Sequence, residues 1–60
     1  MKIEMFDLVR LKTGEIGNII EIFDNGAAFH IEMKGVNPFE NPDDWIREVN
    51  LEDIECVIED

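Results

Sequence analysis

Gly14-Glu15-Ile16-Gly17-Asn18-Ile19-Ile20-Glu21-Ile22-Phe23-Asp24-Asn25-Gly26-Ala27-Ala28-Phe29-His30-Ile31-Glu32-Met33 reads as a glycine-bounded strand, a turn and a second strand. β-Branched and aromatic residues fill both halves, and Asn25-Gly26 supplies the positive φ values that a tight primed hairpin turn demands. The spacing predicts strands over residues 16–24 and 28–33. In the second, Phe29, Ile31 and Met33 face one way and form core, while Ala28, His30 and Glu32 face the other. Gly17 interrupts the first strand's apolar run, where a glycine marks a bulge, a bend or a close backbone approach.

Working outward, residues 5–11 alternate weakly, with Asp7, Val9 and Leu11 on one side and Phe6, Leu8 and Arg10 on the other, and form a first strand. Residues 34–44 hold a glycine, two prolines and two asparagines, a composition that cannot continue a ladder and reads as a long loop. A strand resumes over residues 45–49, beginning at Trp45. Asn50-Leu51-Glu52-Asp53 then places an N-cap residue before acidic groups, the pattern of one helical or 3-10 turn. Residues 54–58 close as a fifth strand, with Cys56 in the core. Five short strands, with the helical turn just before the last, predict a small, highly bent all-β barrel, because so small a sheet hides its edges by curling.

Sixty residues make one domain, 1–60, and a chain of this length buries only about 60% of the surface its unfolded form exposes. The apolar runs fall short of the roughly 18 residues a membrane helix needs, and Glu4 and Asp7 are unlike the basic head of a signal peptide. Cytoplasmic localisation is expected, and the single cysteine suits a reducing compartment.

Fifteen carboxylates against five basic residues give a formal charge of −10. Such a surface repels phosphate backbones, so direct nucleic-acid binding is not expected and a basic protein partner is. Catalytic chemistry is poorly supplied: the chain has no serine or tyrosine, one histidine, His30, and Cys56 among carboxylates that disfavour its thiolate. Glu40, Asp43 and Asp44, and likewise Glu52, Asp53 and Glu55, lack the spacing of a calcium loop. Gly14 and Gly17 do not lead into a helix as a phosphate cradle would. No catalytic residue, metal or cofactor is expected.

The aromatic pair Phe39 and Trp45 flanks the acidic group Glu40, Asp43 and Asp44 on a proline-bounded loop. Aromatics within a charged rim are typical interface anchors, so these five residues are the expected partner-binding site. The expected role is a non-catalytic acidic protein-binding module. The alternatives are a DNA-mimicking inhibitor, which needs carboxylates arrayed like phosphates, and a structural subunit, which needs an exposed edge strand.

The strand order, with Gly14-Glu15-Ile16-Gly17-Asn18-Ile19-Ile20 entering the second strand, resembles the SH3-like barrels of the KOW and Tudor type. More closely it resembles a bacterial family of short domains of unknown function, running strand, Gly-Asp-Val-Gly-Thr-Val-Val-Glu, turn, Val-Glu-Phe, then a Leu-rich turn and strand. The matching positions are Asp7, Val9 and Leu11; Gly14, Gly17, Ile19, Ile20 and Glu21; Ile31, Glu32 and Met33; and Leu51 and Ile54. The resemblance implies a five-stranded SH3-like barrel and, because some members accompany toxin-like proteins, an antitoxin or immunity role. KOW modules are usually more basic, and here the chain departs from them.

Overall fold

The computed structural model describes residues 2–59. Five strands, β1 (Leu8–Leu11), β2 (Ile16–Phe23), β3 (Ala28–Met33), β4 (Ile46–Asn50) and β5 (Ile54–Glu59), form one antiparallel sheet in the order β4-β3-β2-β1-β5. A short helix, α1 (Pro42–Trp45), precedes β4, and a 3-10 turn (Leu51–Asp53) joins β4 to β5. The domain is all-β, as the alternation predicts. The sheet is open: among the described residues no ladder joins β4 to β5, so the expected closure into a barrel is not completed. No helix of the described residues is long and apolar enough to cross a membrane.

Val9, Leu11, Ile19, Phe29, Ile31, Met33 and Ile54 form the core, with Ile22, Val49 and Val57 packed against it. β3 follows its sequence period, and Phe29, Ile31 and Met33 are all inward. Ala28, expected on the outer face, is buried as well. Asp7, just before β1, is buried like Val9 and Leu11; its side-chain oxygen accepts the Glu4 N–H at 2.8 Å, which gives a buried polar group a hydrogen-bond partner.

Curvature comes from bulges, whose places the sequence does not mark. Ile19 pairs with Ile31 and Glu21 with His30, which leaves Ile20 as an extra residue and brings Ile22 back to the inner face. In β5 the pairs Leu11–Ile54, Arg10–Cys56, Val9–Val57 and Leu8–Glu59 leave Glu55 and Ile58 extra. The bulge at Glu55 shifts the phase of β5, so Val57 joins the core and Cys56, expected there, is only half-buried opposite Arg10.

Gly17 is not a bulge. It lies in register with both Val9 and Met33, and its lack of a side chain permits a close approach to β3. A Cβ there would overlap the Ile31 Cγ2 and stand 2.7 Å from the Glu32 carbonyl oxygen.

Asn25 and Gly26 have the expected positive φ, 57° and 93°, in a turn closed by the Ala27 N–H donating to the Asp24 carbonyl at 3.2 Å. The turn starts one residue earlier than expected, because Asp24 also has positive φ, 50°, and the Gly26 N–H donates to the Phe23 carbonyl at 3.0 Å. Asp and Asn tolerate this left-handed region better than other side chains, so β2 ends at Phe23. The first strand is also shorter than expected. Phe6 has φ of 70°, which breaks the extended path, and β1 begins at Leu8.

Candidate partner-binding surface

Residues 34–44 are not a featureless loop. The two Asn-Pro pairs organise them: Asn37 accepts the Phe39 N–H on its side-chain oxygen at 2.8 Å and the Asn41 N–H on its backbone oxygen at 2.8 Å. Local side-chain acceptance of this kind is how asparagine builds turns. Pro42 then opens α1, where its missing N–H costs nothing, and Asp43 and Asp44 place negative charge in the first turn. Trp45 is therefore the last residue of α1 instead of the first of β4.

Phe39 occupies the Asn37-clamped turn and is 94% exposed, the most exposed large hydrophobic residue among those described. Glu40, Asp43 and Asp44 are exposed beside it in sequence, whereas Trp45 is half-buried. The five expected site residues thus lie on one continuous segment, with the two aromatics in different environments. Phe39 is held out into water. Trp45 is partly withdrawn on a helix that packs against β3 and β4.

Tertiary pairing adds features that sequence reasoning missed. Arg47, on β4, reaches across to the β1–β2 turn and pairs with Glu15, while its buried Nε has no partner among the described residues. Hydrogen bonds from Arg47 and then from Thr13 hold the Glu15 carboxyl below the ordinary glutamate value. On the outer face, His30 stands between Glu21 of β2 and Glu48 of β4, with Nδ1 and Nε2 each 3.8 Å from a carboxylate oxygen. The Phe23 ring meets the His30 ring edge-on, centroids 4.7 Å apart. At 3.8 Å these are contacts without hydrogen bonds, so the carboxylates of Glu21 and Glu48 keep their accepting capacity.

Phe6 is a second exposed aromatic, 72% accessible at its positive φ. Its N–H donates to the Ile19 carbonyl at 2.8 Å, which fixes it at the sheet surface. The sequence carries no signal for this conformation, because an aromatic at positive φ runs against local preference. Among the described residues no group of three or more His, Cys, Asp and Glu side chains is placed to hold a metal ion. Comparison of the chain with protein-family models, with curated proteins and with solved structures returned no match.

Proposed function

We propose that this chain is a non-catalytic protein-binding module whose acidic surface meets a basic partner, with Phe39 as the apolar anchor and Glu40, Asp43 and Asp44 as the charged rim. The observation that carries the reading is Phe39 itself, presented almost wholly to solvent from a turn clamped by Asn37. A turn held in place loses little entropy on binding, and a large ring that leaves water gains contact area. The charge of −10 favours a cationic partner through long-range steering. Inhibition of a toxin-like protein, as an antitoxin or immunity protein would act, is the form of this role that the family resemblance implies.

The test begins with a pull-down from the native host and continues with association kinetics at two salt concentrations. Exposed charges separated by more than about 8 Å are screened at physiological ionic strength, so added salt should slow association. Reversal of Asp43 and Asp44 to lysine should chiefly lower the on-rate, whereas Phe39→Ala should chiefly raise the off-rate and leave the salt dependence alone. An acidic partner, or binding indifferent to both changes, would overturn the proposal.

A further inference from the structure

The two edges of the open sheet are built differently. At β5 two of the six strand residues, Glu55 and Ile58, are bulged out of register, and bulges twist an edge away from further pairing. β4 has no such defence: its five residues pair one to one with β3, from Glu32–Ile46 to Ala28–Asn50.

The ladder also reveals which backbone groups face off this edge. The Leu51 N–H donates to the Ala27 carbonyl at 2.9 Å, so alternation makes Phe29–Val49 and Ile31–Arg47 the hydrogen-bonded pairs of β3 and β4. Ile46, Glu48 and Asn50 therefore turn their backbone groups away from β3. The Asn50 N–H is taken by the Asp53 carboxylate at 2.9 Å, and Ile46 and Asn50 adjoin α1 and the 3-10 turn. Glu48, midway along β4, is left with both its N–H and its C=O directed outward.

We propose that the β4 edge takes up a short extended segment of a basic partner, which pairs antiparallel with the backbone of Glu48 and sets a lysine or arginine beside its carboxylate. This deepens the reading above and rests on its premise that the partner is basic. The residue opposite Glu48 exchanges both backbone bonds with it and projects from the same outer face, where Glu48 and Glu21 flank His30. Residues on either side of it project to the other face, beside Arg47 and the partly buried Val49, and suit apolar side chains. The recognised pattern is apolar, basic, apolar. A second copy of this chain fits poorly: two β4 edges paired about a two-fold centred on Glu48 would set Glu48 against Glu48, and like charges directly opposed are destabilising.

The test titrates the full-length, isotope-labelled chain with the capped pentapeptide Thr-Val-Lys-Val-Thr, with a twin N-methylated at the lysine, and with a twin carrying glutamate at that position. Saturable binding by the lysine peptide is expected, with amide shifts centred on residues 46–50 and slowed hydrogen exchange at Glu48. Both twins should bind about tenfold more weakly or worse, and Glu48→Lys should reverse the preference between the lysine and glutamate peptides. Dispersed spectra of Glu48→Lys and Glu48→Gln would confirm that these exposed-side-chain variants stay folded. Equal binding by the N-methylated twin, shifts centred on β5, unchanged preference in Glu48→Lys, self-association through β4, or no saturable binding by any peptide would each overturn the proposal. If it fails while Phe39→Ala still weakens the native partner, strand addition is wrong and the acidic contact surface stands.

Discussion

Phe29 and Phe39 are the same side chain ten residues apart, and they mark the two kinds of region in this molecule. Phe29 lies on β3 with 1% of its surface accessible, packed in a hairpin whose strands both contribute to the core. Phe39 lies on an asparagine-clamped turn with 94% accessible. The hairpin stabilises the fold. The turn adds almost no burial at its aromatic position, so a large apolar group can be kept there for contact with another molecule at little cost to folding.

The largest effects should separate the hairpin from everything else. Gly17→Val would force a side chain into the Ile31 methyl and the Glu32 carbonyl, and the latter belongs to backbone that cannot yield without disturbing β3. A loss of about 3 kcal/mol or more is expected, enough to unfold much of a domain this small. Denaturant titration checks it, and a loss under about 1 kcal/mol would mean that the strands separate more readily than the register implies. Phe29→Ala should cost a similar amount, about 3–5 kcal/mol, through lost burial and the cavity it leaves.

A smaller effect is expected where the chain only turns. Gly35 has φ of 78° with open space around the missing side chain, so Gly35→Ala meets backbone strain but no clash. About 1 kcal/mol of destabilisation is expected. Equal losses at Gly35 and Gly17 would erase the distinction between a glycine required by packing and one required by conformation.

The Glu15–Arg47 contact ties the β1–β2 turn to β4, and its signature is acid dependence. The folded-state pKa of Glu15 is depressed, so its stabilising contribution is present above the ordinary glutamate value and is lost as pH falls through the lowered one. The group is exposed, and the effect on stability should be slight. An NMR titration should show the Glu15 carboxyl titrating below the ordinary glutamate value in the native chain and returning toward it in Arg47→Met. A Glu15 midpoint unmoved by that substitution would dissolve the link.

The smallest effect should be at the second phenylalanine. Phe39→Ala should change unfolding free energy by no more than about 0.5 kcal/mol, in contrast to the same substitution at Phe29. A large loss would show that the ring is packed in solution and would remove the anchor from the proposed interface.

Much of the fold was legible because β3 and the turn before it carry strong local signals. Alternation over residues 28–33 separated Phe29, Ile31 and Met33 from the outer face, and Asn50-Leu51-Glu52-Asp53 located the 3-10 turn. Local rules failed where one residue more or less altered the phase. Cys56, expected in the core of the last strand, is only half-buried because the bulge at Glu55 breaks the alternation from Ile54. The strand expected from Trp45 begins at Ile46 instead, because Pro42 with Asp43 and Asp44 opens a helical turn that carries Trp45 into α1. The five residues of the candidate site were legible as one segment, but the different environments of Phe39 and Trp45 were not.

By itself the sequence determined the period of the strands, the places where the chain must turn and the acidity of the surface, because these depend on a residue and its near neighbours. The tertiary structure alone decided the three bulges, the reach of Arg47 to Glu15, the row of Glu21, His30 and Glu48, and which backbone groups of β4 face off the sheet. Each depends on the register between strands distant in sequence. Register is set by the fit of the whole core, where slipping a strand by one residue exchanges its buried and exposed faces.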